Sequence, residues 1–217
     1  ASLEGSDQAP PLGGIGVSLP WHVQACPDTG GVTEPENHGS IECAVYRHLR
    51  RQFDTPVIVN NHARAYTTAY WMSEAGQEFR SFAYINMGDA PAVGIVSNGR
   101  LVYGSHGLAG EIDLIPEQIR NGKELWRQPE ALGDLVAQIL TLQNPEAIVF
   151  GGNPEVLKPE FVARVQQVLA AKKLPEGILQ TPIVTDERSL ETPARGAAST
   201  VLDHIFSSHH IPLEALL

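Results

Sequence analysis

The stretch over residues 56–76, PVIVNNHARAYTTAYWMSEAG, constrains this chain more than any other, because three contiguous β-branched residues stop at a polar triplet and a helix pattern begins at once. Val57, Ile58 and Val59 read as a strand covered on both faces. Asn60, Asn61 and His62 fall at its carboxyl end, the edge at which open α/β sheets bind ligands. From Ala63 onward the spacing of Ala, Tyr, Trp and Met is helical. A strand end feeding a helix thus brings three polar side chains to one crevice.

The rest of the chain supplies a sheet around that junction. Upstream, Ile15, Val17 and Leu19 alternate as a strand that stops at Pro20, with Trp21 and His22 next. Residues 25–39, dense in Pro, Gly, Asp, Asn and Thr, read as a surface loop. Residues 41–53 have helical spacing, with Arg47, Arg50 and Arg51 for a solvated face. From Ser81 three short runs, SFAYINMG, AVGIVSNG and RLVYGS, predict three strands, the last two joined by an Asn98-Gly99 hairpin. Helical material then breaks at Pro129. An amphipathic helix over 132–142 follows, then a strand over 147–150 ending in Gly151-Gly152. A helix over 161–171, a strand over 183–185 and a small-residue helix over 194–206 complete the pattern. Hairpin strands followed by alternating helix and strand predict a mixed sheet with helices on its faces. A boundary near residues 76–81 divides the chain into 1–80 and 81–217.

Composition excludes more than it assigns. The 217 residues carry a formal net charge of -10 and no run of Lys or Arg, which argues against this polypeptide by itself gripping nucleic acid through phosphates. The two cysteines, Cys26 and Cys43, lack metal or redox spacing and are expected to pack. No apolar run approaches the roughly 18 residues needed to span a bilayer. The first residues, ASLEGSDQ, lack a signal-peptide core, so a cytoplasmic location is expected.

Several segments, taken in order, resemble the ROK family (repressor, open reading frame, kinase). PVIVNNHARA is similar to its P-V-x-V-E-N-D-A-N-A, and GIGVSLP to a strand that ends in Pro-Gly. FAYINMGDAPAVGIVSNGRLVYGSHGLAGEI resembles a glycine-rich hairpin running on to L-A-G-E-x-G-H. NPEAIVFGG and RGAAST resemble the late elements that flank the nucleotide in kinase members. The resemblance implies an α/β chain of the actin-like ATPase (ribonuclease H-like) fold with two lobes, the first incomplete over residues 1–80 and the second over 81–217.

Departures from the family pattern shape the functional expectation. The position of the kinases' general-base aspartate is His62, an imidazole able to serve as base near neutral pH. The phosphate turn G-T-G-x-G-x-G has become Gly88-Asp89-Ala90-Pro91-Ala92-Val93-Gly94. Asp89 repels phosphate oxygens, Pro91 removes a donor, and the added side chains narrow the approach. By the same resemblance, the family's D-x-G-G-T hairpin is expected to fall upstream of these residues. Its zinc ligands are missing too, with Leu114 at the His position and no cysteine after Cys43. By resemblance, Asn61 and Glu111 are the sugar-contacting pair, His62 donates or accepts at the same hydroxyl as the lost aspartate, and His106 is a rim candidate. Trp21 either stacks on a sugar face or fills the pocket. Plainer readings stand beside these: Asn61 as a helix cap, Glu111 as a solvated or salt-bridged carboxylate, and the histidines and Trp21 as structural.

The resemblance therefore implies the effector-binding and oligomerising portion of a sugar-responsive transcriptional repressor. It would be non-catalytic, with no cofactor, no nucleotide site and no metal. The expected ligand is a sugar or sugar phosphate, and the expected state a homodimer. DNA would be contacted through an N-terminal helix-turn-helix that these residues do not include. The alternative is a ROK sugar kinase that phosphorylates a hexose or N-acetylhexosamine with ATP.

Overall fold

The structure, a computed structural model, describes residues 12–19, 41–87, 92–112, 129–152, 157–187 and 192–208. Its first strands are β1 (Ile15–Leu19) and β2 (Val57–Asn61), which pair in parallel from Ile15 opposite Val57 to Leu19 opposite Asn61. A parallel pair needs a long crossover, and α1 (Ile41–Gln52) lies within it. All five residues of β2 are buried, as the unbroken β-branched run predicts, and the strand includes Asn60 and Asn61. Then α2 (His62–Trp71) and the short α3 (Glu74–Gln77) follow.

Among the described residues the second sheet holds four strands in the order β4-β3-β5-β6. β3 (Phe82–Asn86) runs antiparallel to β4 (Ala92–Val96) and parallel to β5 (Ala147–Gly151), which is parallel to β6 (Ile183–Thr185). The two faces take alternate residues. Ala83, Ile85, Ile148 and Phe150 meet Leu132, Val136 and Leu140 of α4 (Pro129–Gln143), and Phe161, Val165 and Leu169 of α5 (Pro159–Ala170). Phe82, Tyr84 and Val149 face the other way, onto Tyr70 of α2. Burial on both sides explains why these strands read as continuous apolar runs. A short α6 (Glu176–Leu179) precedes β6.

α7 (Thr192–Ser208) packs on α2 and on β1 and β2, while α2 also contacts β3 and β4. Glycine permits these approaches. A Cβ at Gly196 would overlap the Ala65 carbonyl, and one at Gly16 the Ala197 carbonyl. The mixed sheet with helices on both faces is the expected architecture, but one expected strand is reduced. Asn98 (φ 52°) and Gly99 (φ 69°) form the two-residue turn between Ser97 and Arg100, whose backbones exchange hydrogen bonds of 2.9 and 3.1 Å. The run after it adds only a bridge from Leu101 to Val96 and a bond from the Val102 N–H to the Ile95 carbonyl. At Gly104, φ 74°, the backbone leaves the extended region and the ladder stops. Trp21, the polar loop over 25–39, the Gly88–Pro91 part of the altered phosphate turn and the helical material before Pro129 lie outside the described residues.

Candidate functional site

At the end of β2 the backbone turns straight into α2, with Asn61 as the N-cap at φ -81° and ψ 163°. Its Oδ1 accepts the Arg64 backbone N–H at 2.9 Å, satisfying one of the donors a helix start leaves open. Asn61 is therefore a cap, as its plainer reading has it. The same side chain also reaches across 50 residues of sequence, donating through Nδ2 to Oε1 of Glu111. Asn61 is only 4% exposed and Glu111 8% exposed, so this is an interior contact.

Arg64, 2% exposed, completes the network, and motif comparison did not select it. Its guanidinium donates through Nη2 to the Gly107 carbonyl and through Nη1 to Asn60 Oδ1 at 3.3 Å. Nη2 also lies 3.7 Å from Glu111 Oε1, and the guanidinium carbon sits 5.3 Å from the centre of the Tyr103 ring, a cation–π approach. Asn60 Oδ1 additionally accepts the Asn61 N–H at 3.0 Å. Burial pulls the Arg64 pKa below its ordinary value, opposed by Glu111 and Tyr103. Burial likewise pushes the Tyr103 phenol up, partly offset by the Arg64 cation. The available signal was spacing: an arginine three residues after Asn61 and four after Asn60 lies on the helix face above the strand end.

The Glu111 loop is fixed by backbone geometry. Gly110 has φ 84°, its carbonyl accepts the Val93 N–H of β4 at 2.8 Å, and a Cβ on it would overlap the Val93 carbonyl. Gly104 and Gly107 also have positive φ, and the Gly107 N–H donates to the Gly104 carbonyl at 3.3 Å. His106 lies exposed in that turn and takes no part in the hydrogen bonds joining Asn61, Arg64 and Glu111. His62 is half-buried and turned elsewhere. Its ring meets Tyr66 edge-on at 6.2 Å. Burial holds its pKa below the usual histidine value against the opposing pull of the Ser18 backbone. The structure thus unites Asn61 with Glu111, adds Asn60, Arg64 and Tyr103, and places His62 beside the group and His106 at its margin.

A second polar group sits at the carboxyl ends of β3, β5 and β6. The buried Tyr84 hydroxyl donates to Asp186 Oδ2 at 3.2 Å, and Tyr66 of α2 stacks on the Tyr84 ring at 6.3 Å and 2°. A Cβ at Gly151 would overlap that hydroxyl, so Gly151 makes room for tyrosine. Among the described residues no group of three or more His, Cys, Asp or Glu side chains could hold a metal ion, and no helix is long and apolar enough to cross a membrane.

Comparison with known proteins places this geometry. A glucokinase from Halalkalibacterium halodurans is 32% identical over 107 residues, 48% of this chain and 32% of that protein, so the match spans about a third of the curated relative. In structure, the chain resembles a ROK hexokinase from Thermus thermophilus, with a TM-score of 0.66 at 20% identity, covering 90% of this chain and 80% of that one. It also resembles a ROK family transcriptional regulator, a homologue of the E. coli MLC protein, with a TM-score of 0.64 at 17% identity, covering 86% and 62%. These likenesses show that the chain shares the fold of those two structures. The model of the ROK family matches residues 3–123, more than half of the sequence and the whole of the Asn61–Glu111 site, so the chain belongs to the ROK family.

Proposed function

We propose that this chain is the non-catalytic, effector-recognising portion of a ROK-type transcriptional regulator that responds to a sugar. The observation that carries this reading is His62. It stands at the position the resemblance gives to the kinases' general base, yet its half-buried ring packs edge-on against Tyr66 and joins none of the contacts that link Asn61, Arg64 and Glu111. A general base must lie where it can take the hydroxyl proton as the bond to phosphorus forms, and His62 is held against Tyr66 instead of within the Asn61–Glu111 contact. The Tyr84 hydroxyl seated against Gly151 argues the same way, since it fills the room a glycine leaves at a strand end. Asn61 and Glu111 retain the amide and carboxylate that suit sugar hydroxyls. In this reading the protein acts in the cytoplasm as a homodimer and meets DNA through a helix-turn-helix outside these residues.

The 32% identity to a glucokinase favours a second reading, a sugar kinase of the same fold with His62 as base. The two part on one measurement: release of ADP from ATP and magnesium in the presence of hexoses and N-acetylhexosamines. The regulator reading expects no release above the sugar-free blank and a raised melting temperature with the effector, by mass action on the native state. Sugar-dependent ADP release that disappears in His62→Gln would overturn it.

A further inference from the structure

The turn after β4 joins a reactive sequence to a geometry that restrains it. Asn98 is exposed, and open space surrounds the place where a Gly99 Cβ would stand. Asparagine is among the thermolabile residues, and a following glycine has no Cβ to hinder attack by its own backbone nitrogen on the asparagine side chain. In that reaction the Gly99 nitrogen gives its proton to solvent hydroxide and bonds to the Asn98 Cγ. The bond from Cγ to the side-chain nitrogen breaks, and that nitrogen takes a proton from water and leaves as ammonia. Water then opens the five-membered imide at either carbonyl, leaving aspartate or isoaspartate at the position. Water is the one co-reactant.

The fold holds the attacking nitrogen. The Gly99 N–H donates to the Arg80 carbonyl at 2.7 Å, and the Asn98 N–H donates to Ser81 Oγ at 2.9 Å. Residues 80 and 81 are anchored in turn. Both of their backbone N–H groups donate to Oε2 of Glu146, at 2.6 and 2.9 Å, and the Glu146 N–H donates to the Ser81 carbonyl at 2.8 Å. A nitrogen bound in this way must leave the Arg80 carbonyl before it can attack, so the reaction waits on local opening of the turn. We infer that Asn98 is a site of spontaneous deamidation, gated by the Gly99–Arg80 hydrogen bond and by the Glu146 anchor behind it. The consequence reaches the loop beyond the turn. A two-residue connection fixes the register of the strands it joins, and isoaspartate adds one carbon to the backbone within it. The Val96–Leu101 bridge and the bond from the Val102 N–H to the Ile95 carbonyl depend on that register, and the same run leads on to Gly107 and Glu111.

The test is peptide mapping by mass spectrometry of the whole chain aged in mildly alkaline buffer. Mapping separates Asn98 from Asn121-Gly122, the same pair at a place outside the described residues. Asn98 in the folded wild type should convert roughly tenfold or more slowly than in the same chain unfolded in guanidinium chloride. Ser81→Ala and Glu146→Ala each remove one anchor and should raise the folded rate roughly threefold or more, with the unfolded rate unchanged. If either variant fails to fold, the other and the wild-type ratio still decide. In the isoaspartate fraction the Val102 amide should exchange with solvent faster than in the unmodified chain. Conversion as fast in the folded chain as in the unfolded one, no conversion in the unfolded chain, or anchor variants that keep the wild-type folded rate would each overturn the gated site. An unchanged Val102 exchange rate would overturn its effect on register.

Discussion

At the residue scale, Arg64 decides more than the residues that motif comparison selects. It is a buried cation whose charge is balanced by Glu111 and whose donors are held by Asn60 and Gly107. Removing one member of such a pair strands the other in low dielectric, so Arg64→Leu should destabilise the chain by roughly 3–5 kcal/mol in urea unfolding. The Arg64→Leu/Glu111→Leu double variant should lose less than the sum of the two singles, with a coupling of roughly 1–3 kcal/mol. His62 makes a separate, pH-dependent prediction. Its folded-state pKa lies below the unfolded value of about 6.5. Below that pH the unfolded chain therefore binds more protons than the folded one. The stability His62 contributes is complete above about 6.5 and is lost as pH falls toward the folded value. Melting temperatures measured from pH 8 down to pH 5 should fall more for the wild type than for His62→Gln. Equal slopes would show that His62 is not held neutral.

Elements were far more legible in the sequence than contacts. β2 was visible because a strand buried on both faces needs apolar residues at every position, and Val57, Ile58 and Val59 supply them. The Asn98-Gly99 turn was visible because its two positive φ values demand those residue types. The strand expected after it was not secured, since its alternation gave no sign that Gly104 would end the ladder. In the site, Asn61 and Glu111 were legible through the family motif. Arg64 was not, because a lone arginine on a helix reads as solvated until the fold brings Gly107 and Glu111 over it. The element that does so is the glycine-punctuated loop, pinned where the Gly110 carbonyl accepts the Val93 N–H. An alanine at Gly110 must hold φ near 84° and would collide with the Val93 carbonyl. The left-handed backbone alone costs about 1–2 kcal/mol, and the overlap adds to it. Gly110→Ala should therefore lower stability by at least about 1–2 kcal/mol. It should also weaken any ligand that needs Glu111, whereas Gly99→Ala, with open space around its Cβ, should leave such binding unchanged.

Across the whole molecule, stability is distributed unevenly between the two sheets. The four-stranded sheet sits between α4 and α5 on one face and α2 on the other, with Ile85, Ile148, Leu132 and Val165 fully enclosed. The β1–β2 pair has a much smaller cluster, Leu19, Val57 and Val59, backed by the half-buried Ile15, Val17, Tyr46 and Leu49. Among the described residues this sheet has two strands, and a two-stranded sheet is marginal alone in water, so β1 and β2 borrow stability through α2 and α7. The close crossings at Gly16 and Gly196 supply part of it. The rest passes through polar contacts that tie the end of β2 to the loop beside β4, namely Asn61 with Glu111 and Arg64 with Gly107. Native-state hydrogen exchange should therefore find the amides of β3, β5 and α4 opening only with global unfolding, and those of β1 and β2 opening earlier as a cooperative unit. In Arg64→Leu the protection of β1, β2 and the first turn of α2 should drop further than that of β3 and β5. If all of these strands lose protection equally, the polar network stabilises the molecule as a whole; if only the first group does, it is the clasp by which the small sheet is held to the large one.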